Sequence, residues 1–171
     1  MHTSNRTIKW IESLADQELK INAGEKASID ICTTKEEVLS VETAIFVREL
    51  FNHFEYLVNL FNNRVSPSSL EIKLVRLGDH LEGFCLLRNQ MRLSLCQTQP
   101  GMVQLQCDKL AAEGVASPVQ TSMMFSGLIE AKFETFHDVE WYFLGSQISA
   151  EQVARHYLTE FLQVSRSYAN N

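Results

Sequence analysis

The sequence lacks the short motifs that commit a protein chain to a known chemistry. No Ser, Thr or Cys lies in a nucleophile elbow, no glycine-rich phosphate loop occurs, and His-Glu-x-x-His is missing. Dedicated metal-ligand spacings are missing as well. We therefore expect no cofactor and no metal ion, and the sequence favours a protein without catalytic activity over an enzyme.

Long apolar runs and export signals are also missing. No stretch approaches the roughly 18 uninterrupted apolar residues that a membrane span requires. The first six residues lack the basic-then-apolar run of a signal peptide. We therefore expect a cytoplasmic protein that has no membrane partner.

The four cysteines show no Cys-x-x-Cys spacing. They are Cys32, Cys85, Cys96 and Cys107. The last three lie among Leu, Val and Phe in alternating patterns, where small buried hydrophobic side chains fit. An even number of cysteines also allows two disulfides, but a chain with a full core does not need them, so we expect reduced thiols.

Length and charge indicate the general class of protein. A chain of 171 residues with 45% hydrophobic composition fits one globular domain over residues 1–171, which at this size buries roughly 70% of its unfolded surface. The formal net charge of −6, from 15 basic and 21 acidic side chains, repels phosphate backbones and anionic lipid. We therefore expect no nucleic-acid partner.

Short amphipathic helices are predicted towards both ends of the chain. In the N-terminal segment, residues 1–34, a helix is predicted over residues 7–19, and residues 27–32 alternate as an edge strand does. The C-terminal helix is predicted over residues 149–166. Its capping box consists of Ser149 and Gln152, whose side chains each satisfy a backbone N–H that the first turn leaves unpaired.

A long helix is predicted over residues 35–62. Thr34 and Glu37 have the spacing of a capping box at its start. Its apolar residues fill one wide arc, which indicates the main helix of the core. The residues of this arc are Leu39, Ala44, Phe46, Val47, Leu50, Phe51, Phe54, Leu57, Val58 and Phe61.

The opposite side of the long helix carries a second apolar strip among polar residues. Its members are Val38, Val41, Ile45 and Tyr56. A helix that is apolar on two sides is normally buried twice, here against a sheet and against a second element. That element is either the N-terminal helix around Trp10 or another protein, which is a twin subunit or a different partner.

Residues 70–144 alternate between apolar and polar side chains, with turn signals roughly every ten residues. This spacing predicts an antiparallel meander of five to seven strands. The predicted strands cover residues 70–77, 81–88, 91–97, 102–108, 119–125, 128–134 and 139–144. With the long and C-terminal helices packed on one face, the fold class is α+β.

The register of one hairpin follows from its side chains. A two-residue turn at Pro100-Gly101 would set Leu95 against Gln106 and mix apolar and polar residues on one face. A slip by one residue, through an odd-length loop or a bulge at Gly101, removes this conflict. The slipped register aligns Leu93 and Leu95 with Val103, Leu105 and Cys107.

Three arginines in the mildly positive middle of the chain form a candidate anion site. Arg88 and Arg92 flank the hairpin at Asn89-Gln90, and Arg76 lies on the preceding strand. Guanidinium groups bind carboxylates and phosphates through bidentate contacts. Arginines at strand ends also discourage edge-to-edge pairing, and we favour this second interpretation.

Histidines occur in three weaker patterns. Residues 79–82 and 137–140 each combine one His with two carboxylates, which are ligand types for zinc or iron, but these are also ordinary turn residues. Glu49, His53 and Tyr56 share a helix face, where a His held by a carboxylate is a candidate base. For residues 79–82 and 137–140 we favour ordinary turns. For Glu49, His53 and Tyr56 we favour a solvated helix face.

Two functions remain as hypotheses. The first is a non-enzymatic interaction module that binds a protein partner or a second copy through the helix strip or a sheet edge. The second is a protein or enzyme that binds an anionic small molecule between the sheet and the long helix. It would use Arg76, Arg88 or Arg92 for the anion and His53 or His137 for proton transfer.

Overall fold

The structure is a computed structural model, and it describes residues 5–23, 35–66, 68–78, 82–110, 122–133 and 138–167. The chain divides into two compact units, residues 1–34 and 35–171. The first unit contains α1 (Asn5–Asn22), in agreement with the predicted N-terminal helix. The predicted edge strand, Cys32 and the capping residue Thr34 lie outside the described residues, and the single domain over residues 1–171 stays a prediction.

The described residues of the second unit form two α-helices and a seven-stranded sheet. The helices are α2 (Lys35–Asn62) and α3 (Ala150–Ser167). A 3-10 turn at Ser68–Leu70 precedes the sheet. The strands are β1 (Lys73–Leu77), β2 (Gly83–Arg88), β3 (Met91–Gln99), β4 (Met102–Lys109), β5 (Ser122–Phe133), β6 (Val139–Phe143) and β7 (Ser146–Gln147).

The sheet is antiparallel, and its strands lie side by side in chain order. This confirms the predicted α+β fold with a meander sheet, a long helix, a C-terminal helix and a short N-terminal helix. The capping box of α3 is confirmed too, because Ser149 N–H donates to Gln152 Oε1 at 2.8 Å and Gln152 N–H donates to Ser149 Oγ at 3.3 Å. In the described part of the chain, no helix is long and apolar enough to cross a membrane.

The predicted register between β3 and β4 is confirmed. Leu93 pairs with Cys107 and Leu95 pairs with Leu105, so apolar side chains share one face. The irregularity lies between Gln97 and Gln99 rather than at Gly101. One extra residue in β3 therefore produces the slip, as a bulge does.

The separation of residues 119–125 and 128–134 into two strands is wrong, because β5 runs continuously through Ser126 and Gly127. Gly127 lies opposite Leu105 of β4. A Cβ atom built on Gly127 would collide with the hydroxyl of Tyr157 from α3. This glycine therefore provides room for a helix side chain and does not mark a turn.

The core lies between the sheet and the two helices α2 and α3. Phe46 of α2 stacks on Trp141 of β6, with ring centroids 4.1 Å apart. Further along α2, Phe51 and Phe54 contact Phe84 of β2 at centroid distances of 5.5 and 5.4 Å. These apolar side chains fill the space between α2 and the sheet.

Thr43 joins α2 to the turn between β3 and β4. Its buried hydroxyl donates to Leu39 O at 2.6 Å and accepts from Gly101 N–H at 2.7 Å. Gly101 adopts a left-handed backbone conformation with φ of 83°, which disfavours other residues there. The hydrogen bond from Gly101 N–H to the Thr43 hydroxyl therefore fixes the position of this turn against the helix.

We expect Thr43→Val to destabilise the fold by about 1–3 kcal/mol, because a nearly isosteric side chain leaves the buried Gly101 N–H without its acceptor. Urea unfolding followed by circular dichroism measures the change. Thr43→Ser, which keeps the hydroxyl, is the control and should retain most of the stability. Equal losses in the two variants would contradict the role of the hydrogen bond.

Candidate functional site

The predicted strip on α2 is an exposed surface in the structure. Val41, Ile45 and Tyr56 are 58%, 41% and 63% exposed, whereas Val38 is half-buried. The same helix buries its other side, where Leu50 and Phe54 have no exposed surface. The helix thus presents one apolar face to the core and a second apolar face to solvent.

The exposed face extends one turn beyond the predicted strip. Leu60 follows Tyr56 by four residues and is 47% exposed, although it is not a member of the predicted strip. Its helical spacing from Tyr56 is the signal that identifies it. Between Ile45 and Tyr56 the face is polar and carries the exposed side chains of Glu49 and Asn52. We call Val41, Ile45, Glu49, Asn52, Tyr56 and Leu60 the α2 strip.

The candidate base at His53 lies at the edge of this surface. His53 is half-buried, whereas its neighbours Glu49 and Tyr56 are exposed. The described residues contain no group of three His, Cys, Asp or Glu side chains that is able to hold a metal ion. His80 and His137 of the two candidate turns lie outside the described residues.

Arg88 is buried at the end of β2, where it connects three parts of the second unit. Its Nε donates to Leu70 O at 2.9 Å, and its Nη1 donates to Ser165 Oγ of α3 at 3.0 Å. Its guanidinium lies 5.6 Å from the ring of Phe61 of α2. Burial and then the nearby Arg166 lower the pKa of Arg88, but an arginine remains charged at any ordinary pH.

The structure does not bring the three predicted arginines together. Arg76 pairs with Phe84 on the helix-covered face, about 13 Å along β2 from Arg88, and lies 4.4 Å from the Phe51 ring. Arg92 follows Met91, the partner of Arg88, and so lies on the opposite face. Each guanidinium therefore has its own surroundings within the fold.

Arg92 forms an ion pair with a buried carboxylate. Its Nη2 lies 3.2 Å from Asp108 Oδ2, and the Asp108 side chain is 2% exposed, against 39% for that of Arg92. Gln106 Nε2 donates to the other carboxylate oxygen at 2.8 Å. Because the Arg92 guanidinium is already paired with Asp108, it is less free to bind an external anion.

One surface groove lies beside Arg88, with a volume of about 580 Å³. Lys73, Glu71 and Gln90 also line it. It combines two cationic side chains with one carboxylate. The groove lies at the hairpin end of the sheet and not between the sheet and α2, where the ligand hypothesis placed its site.

The cysteines of the sheet form no disulfides with one another, and they are largely buried. Cys85 and Cys107 are buried, Cys96 is half-buried, and all three are free, while Cys32 lies outside the described residues. Burial, followed by the nearby Asp108, raises the pKa of Cys107 to about 12. The pKa values of Cys85 and Cys96 are raised too, because the effect of burial is larger than the opposing effect of the nearby Arg92. A raised pKa disfavours the reactive thiolate, so these thiols are poor nucleophiles.

The raised pKa of Cys107 predicts a loss of stability in alkali. Above pH 9.0 the unfolded thiol ionises, while the folded thiol stays protonated to about pH 12, so the unfolded state is favoured in that range. Burial, followed by the nearby Glu160, raises the pKa of Tyr157 from 10.0 to about 12. The Tyr157 hydroxyl therefore adds to the loss of stability above pH 10. We expect the free energy of unfolding from urea titrations to fall from pH 9 to 11.

The control for this prediction is Cys107→Ala. This variant loses apolar contacts at every pH, but its free energy of unfolding should fall less steeply above pH 9 than that of the wild type. Parallel pH profiles for the two proteins would show that Cys107 does not cause the alkaline loss.

The α2 strip is an apolar surface that the described part of the fold leaves exposed. Comparison of the chain with known protein families, with curated protein sequences and with solved structures found no match.

Proposed function

We propose that the protein is a non-enzymatic interaction module that binds a protein partner through the α2 strip. The observation that supports this proposal is the exposure of Val41, Ile45, Tyr56 and Leu60 on one side of a helix whose other side is buried. Water-exposed apolar side chains aligned on a helix are typical of surfaces that bind proteins.

The sheet edges are less suited to this role than the helix. The outer strand β1 carries Lys73 and Arg76, and charged side chains discourage the addition of another strand. The strand at the opposite edge, β7, has only two residues. The proposed partner therefore contacts α2.

The anionic-ligand hypothesis has less support. Arg88 donates to protein groups on two sides, Arg92 pairs with Asp108, and Arg76 lies over an aromatic ring. A bidentate site for a carboxylate or phosphate needs guanidinium groups that converge and are free. Arg76, Arg88 and Arg92 do not provide this arrangement.

The test removes the apolar character of the strip without disturbing the core. We expect Ile45→Asp combined with Tyr56→Asp to reduce partner capture from native lysate at least tenfold, because two charges would have to be desolvated in the interface. Quantitative mass spectrometry of pull-downs measures the loss. The free energy of unfolding should change by less than about 1 kcal/mol, since both positions are exposed.

The matched control is Leu144→Asp. Leu144 is 87% exposed in the turn between β6 and β7, so this variant removes an exposed apolar side chain outside α2. It should capture the same partners as the wild type. If the α2 double variant also retains every partner, the strip is not the binding surface.

A further inference from the structure

The spacing of the α2 strip is the same in both chain directions. Successive members are separated by four, four, three, four and four residues. The outer members Val41, Ile45, Tyr56 and Leu60 are apolar, and the central members are polar. A strip with this symmetry is self-complementary when two copies of the helix meet in opposite directions.

The antiparallel arrangement pairs apolar residues with apolar residues. In such a pair Ile45 would face Tyr56 of the partner subunit, and Val41 would face Leu60 of the partner subunit. The polar centre, Glu49 and Asn52, lies at the two-fold axis. Each apolar side chain that is now exposed to solvent would then be covered by one from the other copy.

The charges beside the strip are complementary in the same arrangement. Arg48 and Glu55 lie on one flank of α2, and both are exposed. In a two-fold antiparallel pair each flank meets the same flank of the other helix. Arg48 then lies within about 3 Å, measured along the helix axis, of Glu55 of the partner subunit. On the other flank, Glu49 lies beside His53 of the partner subunit.

We propose that the partner of the α2 strip is a second copy of this chain, bound through an antiparallel α2–α2 contact with a two-fold axis between Glu49 and Asn52. This inference rests on the proposed function, because it uses the same surface. A parallel contact is disfavoured, since it would place Glu49, in the middle of the strip, against Glu49 of the other copy.

Charge reversal tests the orientation of the contact. We expect the wild type to sediment as a dimer in analytical ultracentrifugation, and Arg48→Glu and Glu55→Arg each to weaken the dimer at least tenfold by creating like-charge pairs. The double variant should dimerise like the wild type. A mixture of the two single variants should form a heterodimer, because the flank of one variant is then wholly acidic and that of the other is wholly basic.

The matched control is Arg155→Glu on the exposed side of α3, which should leave the dimer unchanged. A wild type that stays monomeric at every concentration would overturn the proposal. Failure of the mixed single variants to form a dimer would overturn it as well. If Ile45→Asp with Tyr56→Asp still abolishes capture of a different protein, the proposed function survives and only the second copy is excluded. A dimer that persists in that double variant would overturn the α2–α2 contact itself.

Discussion

Replacing Gly127 with alanine is expected to destabilise the second unit by about 2–3 kcal/mol, although alanine is usually tolerated in strands. The added Cβ would collide with the Tyr157 hydroxyl and would lie 3.0 Å from Cε2 of Phe143. Tyr157 is buried, so its ring is not free to move away. Overpacking of this kind forces side chains out of their preferred rotamers.

Tyr157→Phe removes the colliding oxygen and makes the prediction specific. In this background we expect Gly127→Ala to cost less than about 1 kcal/mol, so the double-mutant cycle should show a coupling above about 1 kcal/mol. Urea unfolding of the four proteins measures it. Additive effects would mean that the hydroxyl of Tyr157 does not cause the loss.

Gly127 also shows where the sequence misleads. Beside Ser126 it has the composition of a turn, and the prediction divided β5 there. The reason for the glycine is Tyr157, which lies 30 residues further along the chain and contacts it only after α3 has packed on the sheet. A local pattern does not carry the information for such a long-range contact.

The features predicted correctly depend on local chemistry or on simple alternation. The capping box at Ser149 and Gln152 needs only two side chains and the first turn of a helix. The register between β3 and β4 follows because, without the slip by one residue, Leu95 would lie opposite the polar Gln106 instead of Leu105.

The candidate site was predictable only in part. The helical spacing of Val41, Ile45 and Tyr56 predicted a second apolar strip, and the structure exposes these three residues. The arginines could not be assigned in the same way. Their partners, such as Ser165 for Arg88, are distant in sequence, and whether a guanidinium is free depends on the folded structure.

Arg88→Met is expected to destabilise the fold by about 3 kcal/mol, because Arg88 is a structural residue in this fold. Methionine keeps most of the apolar stem over Phe61 but leaves Leu70 O and Ser165 Oγ without the donors that they have in the wild type. Hydrogen bonds from charged groups contribute about 1.5–3 kcal/mol each, and here one acceptor residue, Ser165, is buried and the other, Leu70, is half-buried. Urea unfolding at pH 7 measures the loss.

Arg76→Met is the matched control, since it removes a guanidinium from the same face of the sheet at an exposed position. It should cost less than about 1 kcal/mol, because an exposed cation over a ring contributes only about 0.5–1 kcal/mol. Equal losses in both variants would show that the bonds of Arg88 to Leu70 and Ser165 add little stability. If Arg88→Met instead folded with wild-type stability, Arg88 would be free to bind a ligand, and the groove beside it would become the better candidate for an anion site.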